Sequence, residues 1–124
     1  MLSMVETTAQ AEAVITGEAG FIAGAAPGSI VISSSTIDPF ALRRMGEALA
    51  ARNIHLLDAP VSGGEPRAID GSLAIMVGGE QSTFDRVLPI LQKMGASITL
   101  TGAVGAGNVT KLANQIMVAC NIKI

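Results

Sequence analysis

The residues of this chain whose types and spacing could do chemistry lie near its end, in Gly102-Ala-Val-Gly105-Ala-Gly107-Asn108-Val-Thr-Lys111-Leu-Ala-Asn114-Gln115. A helix starting near Ala106 turns Asn108, Lys111, Asn114, Gln115, Val118 and Asn121 to one side and Val109, Leu112, Ala113, Ile116, Met117 and Cys120 to the other. One reading of the polar stripe is a surface helix facing water. Water-facing stripes, however, usually pair Glu with Lys at i,i+4, whereas this one carries amides and a lone lysine with no carboxylate after it. That composition suits an anionic partner. Free N–H groups at a helix start and glycines that admit a close approach add to the same reading, in which Lys111 is a proton donor beside an anion site.

A second candidate is Asp58-Ala-Pro-Val-Ser62-Gly63-Gly64. A serine followed by two glycines offers one hydroxyl and unobstructed backbone N–H groups, enough to hold a carboxylate, though a plain turn has the same composition. The elements that must position these residues read as α/β. Ser29–Ser33 is a β-branched strand, and Ser33-Ser-Ser-Thr36 is a polar loop at its C-terminal end, where open α/β sheets bind ligands. Asp38 caps and Pro39 opens a helix to about Arg52, with Leu42, Met45, Leu49 and also Ala41 and Ala48 inward. Ile54–Asp58 is the next strand, so residues 29–58 form a right-handed β-α-β unit. Leu73–Val77 and Ser97–Thr101 are further strands around a helix over Glu80–Met94, with Phe84, Val87, Leu88 and Leu91 inward and Pro89 predicting a kink. Thr7 or Thr8 caps a short helix ended by Gly17, and Glu65–Asp70 forms a helical turn closed by Gly71. His55, without partners in the sequence, is an ordinary strand-entry residue.

Composition narrows the function classes. The 124 residues are enough for one domain, and 14 Gly, six Met, three Phe and no Trp or Tyr describe a core of small aliphatic side chains. Charged residues make up 15%, against roughly 25% in an average soluble domain, which predicts that part of the surface is covered by something else. A net charge of −2, no basic cluster and few aromatics argue against nucleic acid. No apolar run approaches the roughly 18 residues of a membrane span, and residues 1–16 lack the basic flank of a signal peptide, so a soluble cytoplasmic protein with no membrane partner is expected. Cys120 is the lone cysteine and falls on the apolar side of the last helix, a core position; nothing in the sequence speaks for a disulfide or a metal.

The order and spacing of Asp58-Ala-Pro-Val-Ser-Gly-Gly64, Gly71-Ser-Leu, Val77-Gly-Gly79 and Gly102-x-x-Gly105-x-Gly107-x-x-x-Lys111-x-x-Asn114 resemble one family, the β-hydroxyacid dehydrogenases. That family includes 3-hydroxyisobutyrate dehydrogenase and 2-hydroxy-3-oxopropionate (tartronate semialdehyde) reductase, and Glu65–Gly71 and Lys111–Gln115 look nearest to the latter branch. The resemblance implies a partial Rossmann-type (doubly wound) α/β domain with a mixed sheet. It implies NAD or NADP as cofactor and a small carboxylate substrate. Ser62, Gly63 and Gly64 then hold the substrate carboxylate, Lys111 is the catalytic acid/base, and Asn114 orients substrate. Thr36 touches the nicotinamide ribose, and Val5 and Glu6 line the cofactor loop, where many relatives have Leu-Pro-Asn in place of Val5-Glu6-Thr7.

Relatives also begin with a strand and a G-x-G-x-x-G turn, and end with an all-α domain that dimerises; neither is found here. The expectation is therefore a fragment: residues 1–105 as the C-terminal part of an NAD(P)-binding domain, and residues 106–124 as the start of the helix leading to an all-α domain. The parent is expected to be a homo-oligomeric oxidoreductase acting on a 3-hydroxy acid or semialdehyde acid. The alternative is a truncated, non-catalytic piece or a subunit that completes another chain.

Overall fold

The computed structural model describes residues 2–122, and for residue 64 and residues 117–122 the backbone alone. Its elements run β1 (Leu2–Ser3), α1 (Thr8–Ile15), α2 (Phe21–Gly24), β2 (Ile30–Ser33), α3 (Pro39–Ala50), β3 (His55–Asp58), β4 (Val61–Ser62), α4 (Gly64–Asp70), β5 (Leu73–Gly78), α5 (Gln81–Leu91), β6 (Gly95–Gly102) and α6 (Ala106–Ile122). Strands β1, β2 and β3 are parallel neighbours, with Ile32 opposite both Leu2 and Leu57. The β2-α3-β3 unit is the one expected from the sequence. Strand β5 runs antiparallel to β3 and β4 and parallel to β6, so the sheet is mixed.

Two strands were not legible in the sequence. β1 is two residues long, too short for an alternation to register. β4 continues the path of β3 along β5, since Asp58 faces Gly78, Val61 faces Ile75 and the Pro60 carbonyl still accepts from the Met76 N–H at 3.1 Å. Pro60 has no N–H to give the ladder, and this splits one strand into two.

Local sequence explains the helices. Thr7 and Gln10 form a capping box at α1: the Thr7 hydroxyl accepts from the Gln10 N–H, and Gln10 Oε1 accepts from the Thr7 N–H, each at 3.1 Å. Asp38 Oδ1 accepts from the Phe40 N–H at 2.9 Å, and Pro39 opens α3. Ala41, Leu42, Met45 and Leu49 of α3 are buried, but Ala48 faces solvent. Helix α5 buries Phe84, Val87 and Leu91 and runs unbroken through Pro89, which lies exposed.

Strand side chains alternate between two apolar layers. Val31 and Leu56 join Ile15, Leu42, Met45 and Leu49 under α1 and α3; Ile32 and Leu57 join Ile75, Val77, Phe84, Val87 and Leu91 under α5. Helices thus cover both faces of the sheet, the three-layer α/β solution. Among the described residues no helix is long and apolar enough to cross a membrane.

Leu49 is fully buried at the centre of the first layer. Leu49→Ala should lower the unfolding free energy by about 2–5 kcal/mol, the usual cost of deleting a buried leucine's methyl groups. Urea unfolding followed by circular dichroism checks this, and a loss below about 1 kcal/mol would show that the layer is not packed as described.

Candidate functional site

The site is organised by a carboxylate with no solvent contact. Asp58 ends β3 fully buried, and its two oxygens face the start of α6: Oδ1 accepts from the Gly105 N–H at 2.8 Å and Oδ2 from the Asn108 N–H at 2.9 Å. A helix start leaves its first amides without intrahelical partners, and an anion there satisfies them and the dipole together. The approach requires glycine. A Cβ at Gly107 would stand 2.5 Å from the Met76 carbonyl and 3.0 Å from Asp58 Oδ2, so any side chain would push the helix off the sheet. Burial raises the Asp58 carboxyl above its ordinary 3.8, against the lowering effect of the Gly105 and Asn108 hydrogen bonds.

Anchored in this way, α6 turns the first two residues of its polar stripe, Asn108 and Lys111, inward. Asn108 is fully buried and Lys111 is 8% exposed, with Nζ donating to the Val61 carbonyl at 2.9 Å. Val61 precedes Ser62, so the ammonium lies beside the Ser62-Gly63-Gly64 turn, and these two candidate groups are brought together. Ser62 is half-buried on β4, Gly63 has φ +134°, a conformation L side chains rarely adopt, and Gly64 begins α4. Asn114, one turn beyond Lys111, is exposed.

The apolar stripe is a correction. Val109, Leu112 and Ile116, on the apolar side whose Cys120 is expected in the core, are 49%, 40% and 65% exposed. The helix is held by its N-terminal amides and by Asn108 and Lys111, so Val109 is turned out, and residues 112–116, polar and apolar alike, are exposed. The side chains of Met117, Val118, Cys120 and Asn121 lie outside the described set, and with them the expectation that Cys120 is a core residue.

The remaining candidates gather at the same ends of β1 and β2. The Val5 N–H donates to Ser35 Oγ at 2.8 Å, joining the loop after β1 to the loop after β2. Thr36 is exposed between buried Ser35 and buried Ile37, and Glu6 is exposed with its N–H held by Gln10 Oε1 at 3.0 Å. Ser3, Ser33 and Ser34 place three buried hydroxyls at these strand ends that have no partner among the described residues. Asn108 ties the two halves of the site together, since its side chain reaches the loop after β2 while its N–H is held by Asp58. Sequence reading left Asp58 and Asn108 without a role. The signal for Asp58 was a carboxylate at a strand end ahead of two glycine-flanked segments, Gly78-Gly79 and Gly105–Gly107.

A cavity of about 440 Å³ lies elsewhere, lined by Arg43, Glu47, His55, Gly79, Glu80 and Val104 among others, and shares no residue with this site. Among the described residues no group of three or more His, Cys, Asp or Glu could hold a metal ion.

Known proteins resemble this chain in sequence and fold. Residues 1–102 match the sequence model of the NAD binding domain of 6-phosphogluconate dehydrogenase. The 2-hydroxy-3-oxopropionate reductase of Escherichia coli (strain K12) is 42% identical over 120 residues, which cover 97% of this chain and 41% of that enzyme. The 3-hydroxyisobutyrate dehydrogenase of Pseudomonas aeruginosa is 39% identical over 94% of this chain and 39% of its own length. The solved structure of Mycobacterium tuberculosis 3-hydroxyisobutyrate dehydrogenase with L-serine superposes with a TM-score of 0.86 at 36% identity, covering 95% of this chain and 40% of that one. The chain thus spans about two-fifths of the length of these relatives.

The balance at Asp58 is measurable. Since its folded pKa lies above 3.8, the folded chain holds this proton more tightly than the unfolded one. Its contribution to stability is fully present below that pH and is lost as pH rises through the folded value. The stability of wild type minus that of Asp58→Asn, which does not titrate, should therefore fall as pH rises from about 3.8. Urea unfolding of both proteins over the acid range checks it; wild type gaining stability relative to Asp58→Asn as pH rises would mean that the amide cradle outweighs burial.

Proposed function

The chain belongs to the family of the NAD binding domain of 6-phosphogluconate dehydrogenase, and from that premise we propose that it builds the active site of an oxidoreductase in which Lys111 is the general acid/base. The reaction is hydride transfer between NAD or NADP and a small 3-hydroxy acid or semialdehyde acid, of the 2-hydroxy-3-oxopropionate or 3-hydroxyisobutyrate class. The observation that carries this reading is the placement of the Lys111 ammonium 2.9 Å from the Val61 carbonyl, beside Ser62-Gly63-Gly64. The substrate class follows from the names of the relatives and from the turn's fitness to hold a carboxylate.

A nicotinamide cofactor supplies or accepts the hydride. The loops after β1 and β2 would hold it: Thr36 is presented outward at their edge, Val5 and Glu6 lie on the facing loop, and the buried serine hydroxyls lie at the same strand ends. Ser62 and the amides of Gly63 and Gly64 clamp the substrate carboxylate. In reduction, negative charge develops on the carbonyl oxygen, and Lys111 stabilises it and delivers the proton; in oxidation a neutral Lys111 removes that proton. The Val61 carbonyl takes one of the three Nζ hydrogens and leaves the others for substrate. Asn114, exposed one turn along the same face, contacts the substrate from the solvent side.

Grafting this chain into the Escherichia coli reductase in place of the segment it matches provides the test. With tartronate semialdehyde as substrate, Lys111→Ala should lower kcat by about 10²–10⁴-fold and leave cofactor affinity nearly unchanged. Lys111→Arg keeps the charge but holds its proton too tightly for a general acid, so it should recover binding better than rate. Ser62→Ala should act partly on KM, as a clamp used in ground and transition states does. If Lys111→Ala kept more than about a tenth of kcat, a loss under roughly 1.4 kcal/mol, the assignment would fall.

A further inference from the structure

Asn108 is one turn before Lys111, fully buried, and its carboxamide is used on both sides. Oδ1 accepts from the Ile37 N–H at 2.9 Å, and Nδ2 donates to the Ser35 carbonyl at 3.3 Å and to Asp58 Oδ2 at 3.4 Å. The orientation of the amide is forced, because the Ile37 N–H can only donate and the Ser35 carbonyl can only accept. The side chain therefore clasps the backbone on either side of Thr36, as a neighbouring strand would, and leaves the Thr36 side chain pointing outward. The main chain of Asn108 is held separately, its N–H donating to Asp58 Oδ2 at 2.9 Å.

We propose that Asn108 is a positioning residue that couples the Thr36 loop to the helix carrying Lys111, so that the two are placed together or not at all. The proposal rests on the assignment of Thr36 to the cofactor and Lys111 to the proton. Lys111 follows Asn108 by three residues, about 4.5 Å of helical rise on the same face. A rigid first turn of α6 therefore carries any displacement of the loop to Nζ. Outward movement of residues 35–37 would strand a buried N–H, a buried carbonyl and the Asn108 amide at once, so partial opening is disfavoured and the loop and helix move as one unit. In an enzyme of this kind the coupling would withhold the proton donor until the cofactor loop is in place.

The test does not require turnover, so its failure is separable from failure of the catalytic assignment. Reductive methylation by formaldehyde and borohydride, read by mass spectrometry as the rate at Lys111 relative to exposed Lys93, reports whether Nζ is held; hydrogen exchange at the Ile37 amide reports the loop. Asn108→Ala should raise both by about tenfold, the effect of leaving a buried partner unsatisfied. Val87→Ala, which loosens the layer under α5 to which Ile37 does not belong, should leave the Lys111 to Lys93 ratio within about twofold. An unchanged Lys111 rate in Asn108→Ala, or an equal rise in Val87→Ala, overturns the proposal. Should Asn108→Ala fail to fold, the wild-type Ile37 and Asn108 amides still decide it: the coupling requires one common opening with one denaturant dependence, and independent openings refute it.

Discussion

The carboxylate of Asp58 is the constraint on which the site depends. Taking a carboxylate out of water is costly unless hydrogen bonds replace its hydration, and here the replacements come from the first amides of α6. The burial penalty and the hydrogen bonds oppose one another, and burial prevails in the proton affinity of the group. Two consequences follow for the chain. Helix α6 must begin where Gly105 and Asn108 reach the end of β3, and the backbone around that point must be glycine, as at Gly107, because no room remains for a Cβ.

From that anchor the rest of the site is geometry. One turn along α6, Lys111 reaches the Val61 carbonyl, three residues beyond Asp58 on the same interrupted strand. Anchor and ammonium therefore sit on the two halves of one β path, either side of Pro60. The loops after β1 and β2 join at the same edge through the Val5 to Ser35 hydrogen bond, and Asn108 binds that edge to the helix. A lysine, a Ser-Gly-Gly turn and two polar loops, far apart in sequence, are brought together by contacts that all cross the C-terminal ends of the parallel strands. Open α/β sheets offer their ligand sites at that edge.

How much of this was legible depends on the physics of each signal. β-branched runs at Ile30–Ser33 and His55–Asp58 and the helical repeat Leu42, Met45, Leu49 identify elements whose burial is set by the residues themselves, and their parallel pairing matches the reading. The loop residues Thr36 and Ser62 were placed at strand ends by the same logic. Helix α6 is different. Its periodicity separates a polar from an apolar side, but periodicity does not say which side is buried, and the decisive interactions are amide to carboxylate and amide to loop. Nothing local in Asn108-Val-Thr-Lys111 announces that Asn108 and Lys111 face the protein while Val109 and Leu112 face out. Asp58 and Asn108 escaped notice for the same reason, since each acts through partners about 50 residues or more away in sequence.

The central claim is that the Asp58 anchor sets the position of Lys111 against the Val61–Gly64 turn. Nuclear Overhauser contacts between the Lys111 ε-methylene protons and Val61 and Ser62 measure it directly. They should be strong in the wild-type chain and lost in Asp58→Asn, while contacts within the Leu42–Leu49 layer persist. A Lys111 side chain with random-coil shifts in the wild type, or one whose contacts survive unchanged in Asp58→Asn, would contradict the account.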